Sequence, residues 1–255
     1  MSQFLFGSGV FWGTPLNDSN GNAIVNPTPV QLGVMQDISM DISFDTKQLY
    51  GRFQFPVAIG RGKGKMTGKA KTAQVNASAL NSLFFGQTLA NGLVDNYADV
   101  IGSAIPATPF AVTVTPPNAG VWAYDLGVRD ANGLPMTKVA ATPTTGQYTV
   151  GSGGVYTFAA ADVGLTVYIS YQYTATSTTA KKSTVRNALM GATPTFQGDL
   201  YIPFNGKTLV MTIPKCVTTK WAMATKLDDF TIPEFDFDGF ADAAGNALYW
   251  AASDN

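Results

Sequence analysis

The chain has 255 residues, with 16 Lys and Arg against 17 Asp and Glu and a formal net charge of −1 at pH 7. That balance lacks the basic footprint on which tight nucleic-acid binding rests. With no histidine and one cysteine, Cys216, the composition excludes a Ser-His-Asp or Cys-His nucleophile, a zinc held by histidines or cysteines, and an intrachain disulfide.

Charged residues make up 13% of the chain, about half the usual share. Such a surface suits burial against further copies of the chain, and equally an ordinary β-rich domain. The length accommodates one large all-β domain or two smaller ones. Met1–Gly13 is apolar but has no basic residue ahead of its short apolar run, so it is not read as a signal peptide. No run of about 20 apolar residues occurs, and no membrane span is expected.

In chain order, Phe4-Leu5-Phe6 and Val10-Phe11-Trp12 are broken by Gly7, Gly9 and Gly13 and read as an extended N-terminal arm or edge strand. Asn17 to Asn22 is a turn cluster, and Pro27 and Pro29 keep the next stretch extended. From Val34 a strict alternation sets in. Val34, Gln36, Ile38, Met40, Ile42 and Phe44 share one face of a predicted strand over 34–45, and Met35, Asp37, Ser39, Asp41, Ser43 and Asp45 the other. A second strand is predicted over Gly62–Val75, with Lys63, Lys65, Thr67, Lys69, Lys71 and Ala73 on one face and Gly64, Met66, Gly68 and Ala70 on the other. Between them lies Thr46–Arg61, a connection too long for a plain loop and too aromatic for disorder, so it reads as an arm. Near the C-terminus Glu234, Asp236 and Asp238 alternate with Phe235 and Phe237. The lysine row thus has acidic rows to meet, at roughly 0.2–1 kcal/mol per cross-strand pair. Ordinary solvated charge on one sheet accounts for the pattern as well as a channel or a subunit contact does.

Asn76 is placed as a helix N-cap, with Ala77, Leu80, Leu83 and Phe84 on one stripe and Gly86 as the C-terminal glycine, giving one helix of about nine residues. From 101 to 180 charge almost vanishes and short strands are predicted over Ala111–Thr115, Val121–Val128, Gln147–Val150, Val155–Phe158 and Thr166–Tyr173. Turns at Asp130–Gly133 and Gly151–Gly154 separate them, which indicates an inserted β-meander or small sandwich. Strands resume at Val185–Met190, Thr195–Pro203, Lys207–Ile213, Phe230–Phe240 and Ala247–Ala251, with Trp221–Lys226 ambiguous between strand and helix. Asn205-Gly206 is a hairpin signal and Ala244-Gly245-Asn246 another turn. The division read here is 1–100 with 181–255 as one discontinuous β-domain and 101–180 as the insertion.

Chemistry-bearing motifs are sparse. Gly62-Lys63-Gly64-Lys65 lacks phosphate-loop spacing, and Gly206-Lys207-Thr208 has Tyr201 where the opening glycine belongs. Asp228 and Asp229 with Glu234, Asp236 and Asp238 lack calcium-loop spacing. No catalytic residue, metal or cofactor is expected, and Cys216 reads as a small buried hydrophobe.

The segments Asp45-Thr46-Lys47-Gln48-Leu49-Tyr50-Gly51, Phe55-Pro56-Val57-Ala58, Gly62-Lys63-Gly64-Lys65 and Leu83-Phe84-Phe85-Gly86 resemble the major tail tube proteins of long-tailed bacteriophages. Leu189-Met190-Gly191, Pro194-Thr195-Phe196, Lys226-Leu227-Asp228-Asp229-Phe230 and Gly245-Asn246 are similar to the same family, and Gly146-Gln147-Tyr148, Tyr156-Thr157-Phe158, Asp162 and Ile169-Ser170-Tyr171 resemble β-modules of phage tail proteins. The resemblance implies a mainly β sandwich or barrel with one short flanking helix, a long hairpin arm and the inserted β-domain. It implies hexameric rings stacked into a hollow tube that delivers DNA, assembled in the host cytoplasm and resident in the virion tail. Its implied partners are the chain itself, tape measure protein, tail terminator, tail tip or baseplate proteins, and phage DNA in transit. By position, Tyr50, Arg52, Phe53, Phe55 and Pro56 become anchors of the stacking arm. Asp37, Asp41, Asp45, Lys63, Lys65, Lys69, Lys71, Glu234, Asp236 and Asp238 become lumen-facing or inter-subunit charge. The competing expectation is a capsid decoration or host-surface protein whose 101–180 module stacks Trp122, Tyr124, Tyr171 and Tyr173 on sugars. The blander reading of those aromatics is core packing.

Overall fold

The computed structural model describes residues 4–254. Among the described residues the fold is mainly β, with one short helical segment and a 3-10 turn at Ala160–Asp162. The chain divides into two compact units, residues up to 88 with 183 onward, and residues 89–182. The second unit therefore begins a dozen residues before the sequence-based boundary at 101. The reason is a strand at 93–97 that pairs inside that unit.

The first unit opens with β1 (Val10–Pro15), β2 (Val30–Gln31), β3 (Met35–Tyr50) and β4 (Pro56–Thr72). A single α-turn, α1 (Ala77–Ala79), runs into a π-helical stretch over Leu80–Phe85. Asn76 caps the start, its Oδ1 accepting from the backbone N–H of Ser78 and Ala79 at 3.0 and 3.1 Å, and Gly86 closes the end with φ +57°. Both caps fall where the sequence puts them. The buried stripe does not: Ala79, Asn81 and Leu83 are buried whereas Ala77 is exposed. The wider π-turn re-aims the side chains relative to a 3.6-residue helix.

The second unit holds β5 (Ala90–Asn91), β6 (Leu93–Tyr97), β7 (Ser103–Ala104), β8 (Ala111–Thr113), β9 (Val121–Asp130), β10 (Thr137–Lys138), β11 (Gln147–Gly151), β12 (Val155–Phe158), β13 (Thr166–Ala175) and β14 (Lys181–Lys182). One sheet runs β10-β11-β12-β8, and the other has β6, β7 and β9 pairing with β13. Tyr148, Tyr156 and Phe158 from the first sheet and Val128, Val167, Ile169, Tyr171 and Tyr173 from the second share one buried cluster, so this unit is a small sandwich. β5 pairs β14 where the chain enters and leaves it.

The chain then returns to the first unit as β15 (Phe196–Phe204), β16 (Lys207–Ala222), β17 (Glu234–Phe240) and β18 (Tyr249–Asp254). Asn205 and Gly206, at φ +49° and +72°, form the tight turn between β15 and β16. The resulting eight-stranded sheet runs β2-β1-β15-β16-β17-β4-β3, with β18 also pairing β16. Phe11, Met66, Ala70, Leu83, Phe196, Leu200, Ile213, Cys216, Phe235 and Phe237 form its core on one face. β4 is small on that face because aromatic rings lie flat over it: a Cβ on Gly68 would sit 2.1 Å from Phe237 Cζ, and one on Gly64 would sit 2.9 Å from Phe44 Cε1.

Several expected elements differ. A bulge at Gln36, between the pairs Met35↔Thr72 and Asp37↔Lys71, turns Met35 into the core and leaves Val34 exposed. Val185–Met190 is irregular and exposed, because no strand runs beside it to complete a ladder. The strand expected from Phe230 begins at Glu234, since Pro233 has no N–H to give. β4 ends at Thr72 instead of Val75, and Trp221 and Ala222 close β16 rather than opening a helix. Phe4 to Phe6 lie outside any strand, and Met1–Gln3 fall outside the described residues.

Candidate functional site

β3 and β4 together build the candidate site. They run side by side from Met35↔Thr72 out to Tyr50↔Pro56. The expected arm over Thr46–Arg61 is thus not a loop but the continuation of both strands, with only Gly51–Phe55 left as its tip. Every residue from 41 to 65 is exposed except half-buried Pro56. Ten residues of β3 at about 3.3 Å each carry the hairpin roughly 30 Å past the core.

This hairpin is apolar for a solvent-facing element. Leu49, Tyr50, Phe53, Phe55, Val57 and Ile59 are 57–80% exposed. Arg52 lies over the Phe53 ring at 5.2 Å, and Arg61 over the Phe44 ring at 4.5 Å. Arg61 reaches Phe44 because a second irregularity, between Phe44↔Gly64 and Thr46↔Arg61, puts three steps of β4 opposite two of β3. From there outward Arg61 and Ile59 continue the face that carries Gly64 and Met66. The Tyr50 hydroxyl donates to Gln48 Oε1. β3 is also the last strand of the sheet, sixteen residues long and free of proline. Long edges of this kind are templates for pairing with another chain.

The face opposite the core carries the charge. Register places Glu234, Lys71 and Asp37 in one row, Asp236, Lys69 and Ser39 in the next, and Asp238, Thr67 and Asp41 in a third. Lys69 Nζ lies 4.0 Å from Asp236 Oδ2, Lys71 Nζ 3.8 Å from Asp37 Oδ2, and Lys220 Nζ 3.3 Å from Glu234 Oε1. The lysine strand therefore runs between the two acidic strands. Toward the arm, Ser43 pairs with Lys65, Asp45 lies against Gly62, and Lys63 and Lys65 make no ion pair among the described residues. Asp37, Asp41, Asp45, Glu234, Asp236 and Asp238 against Lys63, Lys65, Lys69, Lys71 and Lys220 leave this surface at a formal −1.

Sequence reasoning missed the edge position of β3, the contact of Arg61 with Phe44, and exposed Leu227 and Phe230 beside the acidic strand. The first needs strand order, which no local pattern encodes. The second depends on the register irregularity after Phe44, and the third had a signal, since apolar residues that break an alternation beside Asp228-Asp229 are candidates for contact.

In the second unit Tyr171 and Tyr173 are buried, Trp122 is half-buried and Tyr124 is 50% exposed. Tyr148 and Tyr156 donate to the Asp125 carboxylate at 3.0 and 3.2 Å, Lys138 Nζ stands 3.0 Å from it, and Trp122 Nε1–H donates to the Tyr156 hydroxyl at 3.3 Å. Burial, and then the Asp125 charge, push the Tyr148 phenol well above its ordinary range; burial does most of the same for Tyr156. Neutral donors around one compensated carboxylate make a core network. No group of three or more metal-ligating side chains gathers among the described residues, and no helix among them is long and apolar enough to cross a membrane.

Comparison with models of known protein families gives no match, and no curated protein matches the chain.

Proposed function

We propose that this chain is a structural protein that polymerises, as stacked rings, into the hollow tail tube of a long-tailed bacteriophage. The observation that carries the proposal is the β3–β4 hairpin, a two-stranded arm extended about 30 Å beyond the core with six large apolar side chains in solvent. A monomer has no use for that surface. An isolated two-stranded ribbon is marginal in water, and exposed apolar patches of this kind mark interaction sites. The long edge of β3 supports lateral pairing between subunits. The interleaved face supports a lumen through which DNA slides, since a surface at a formal −1 offers phosphates no salt-dependent grip. Rings of six, a virion-tail location and partners at the two tube ends follow from the resemblance noted above. No catalytic step belongs to this role.

The sugar-binding alternative loses two of its four aromatics to the core, Tyr171 and Tyr173. Negative-stain electron microscopy across a concentration series tests the proposal. Hollow tubes or rings are the expected result. A protein that stays monomeric at every concentration, and with tail-tip components added as initiator, overturns it.

A further inference from the structure

Register sorts the hairpin into layers. Its outer end, residues 49–59, holds Leu49, Tyr50, Phe53, Phe55, Val57 and Ile59, all 57–80% exposed. The one charge there is Arg52, whose guanidinium lies over the Phe53 ring at 5.2 Å. Directly behind this apolar end the bases gather. Lys47↔Gly60 and Thr46↔Arg61 are neighbouring rungs of the ladder, and Lys63 and Lys65 follow on β4. Arg61 shares the Phe44 face and Lys47 takes the other, so the basic belt goes round the ribbon. Residues 46–65 contain Lys47, Arg52, Arg61, Lys63 and Lys65 and no acid. None of the five makes an ion pair among the described residues, and Asp45, against Gly62, is the acid that borders the belt.

We propose that this tip inserts into an anionic lipid surface, with Phe53 and Phe55 below the headgroups and Lys47 and Arg61 at the phosphates. The inference rests on the tube reading for which arms are free. A stack sets the arm of each ring against the next ring and leaves those of its last ring bare. The layers of the arm match the layers of a bilayer. Lys47 stands about 13 Å behind Gly51, at 3.3 Å per residue. Interfacial elements sink about 5–10 Å past the headgroup boundary, which leaves Lys47 and Arg61 within a headgroup layer about 5–8 Å thick. Lys63 and Lys65 then lie farther out, where an anionic surface still attracts them. A nucleic acid offers phosphates with no apolar layer beyond them, so it would answer the belt and leave the six apolar side chains in water. One arm binds weakly, and the arms of a ring act together.

Vesicle flotation of the full chain tests this, since neither free protein nor tubes rise without lipid. The probes are vesicles of phosphatidylcholine alone and of phosphatidylcholine with about one third phosphatidylglycerol. The expected result is flotation with the anionic vesicles at least about tenfold above the neutral ones. Phe53→Ser/Phe55→Ser and, separately, Lys63→Glu/Lys65→Glu should each lower it about tenfold or more. All four residues are exposed, and an unchanged urea midpoint shows that the fold is kept. In electron micrographs the vesicles should sit at one end of the tubes; vesicles along their sides overturn the proposal. No flotation with anionic vesicles, or flotation that survives both variants, also overturns it. So does a single-stranded oligonucleotide that displaces the vesicles and binds the phenylalanine variant as tightly as the parent. Tubes without flotation overturn the lipid site and leave the tube reading standing. Flotation by a chain that never forms tubes supports the lipid site and overturns the tube. Neither flotation nor tubes overturns both.

Discussion

Deleting the arm separates its part in folding from its part in assembly. The variant joins Asp45 to Gly62 through Asn-Gly in place of Thr46–Arg61; these two residues are already neighbours across the ladder, and a Cβ on Gly62 would sit 3.4 Å from Asp45. The deleted residues bury nothing in the core, so the folding terms are small. Losing the exposed Arg61–Phe44 contact costs about 0.5–1 kcal/mol. Shortening the connection from 16 residues to 2, three halvings, returns about 1.8 kcal/mol of closure entropy. The net change in stability is within about 2 kcal/mol of zero. Association is another matter. Six large apolar side chains, 57–80% exposed, carry roughly 6–12 kcal/mol of gross transfer energy, comparable with the 4–15 kcal/mol cost of immobilising a partner. The deletion should therefore leave a monomer with a near-parental urea midpoint, followed by tryptophan fluorescence, and no large species in sedimentation velocity or under the microscope. A variant that assembles like the parent, or one that loses more than about 4 kcal/mol of stability, refutes the reasoning.

Three further outcomes follow from the core and the turns. Gly68→Ala drives a methyl group into the Phe237 ring and should cost about 1–3 kcal/mol, read as a lower urea midpoint at unchanged slope. The Asp242 carboxylate is held below its usual 3.8 by hydrogen bonds from Asn246, backbone N–H first and then side chain. Its contribution is present above 3.8 and lost as pH falls through the lower folded value, so Asp242→Asn should flatten the acid limb of stability against pH below about 4. Burial pushes the Cys216 thiol up to about 12 from 9.0. Its contribution is complete below 9 and lost from there toward 12. At pH 8 a thiol reagent should label only unfolded protein, and fast labelling of the native chain would contradict the burial.

What could be read from the sequence is what period-two alternation encodes. The alternation offers the lysine row acidic rows to meet, and register brings Asp37, Lys71 and Glu234 into one row and Lys69 and Asp236 into the next. The Asn76 and Gly86 caps and the Asn205-Gly206 turn were legible because each answers a specific backbone demand. The bulge at Gln36 was not, since a polar residue at the start of an exposed edge sits as well on either face, and only the tertiary packing that buries Met35 opposite Thr72 decides it. Val185–Met190 shows the opposite failure. Its composition favours a strand, but a strand exists only beside another, and tertiary structure supplies none.

The charged face is better understood as a device for setting potential than for holding the sheet together. Its ion pairs along β4 are 3.8–4.0 Å long with lysines 44–60% exposed, a regime in which each contributes about 0–1 kcal/mol. Strands lie about 4.8 Å apart, less than the roughly 8 Å Debye length at physiological salt. Alternating rows therefore cancel before a polyanion in solution feels either one. The same alternation that sets Lys69 between two acidic strands sets Gly68 under the Phe237 ring on the other side. One face of β4 is thus fixed by packing and the other by charge. Both constraints end near Gly64, and beyond it the two strands run on with neither core nor acid to answer them. A hairpin that keeps its register for another ten residues without either is most simply accounted for by a surface outside the chain.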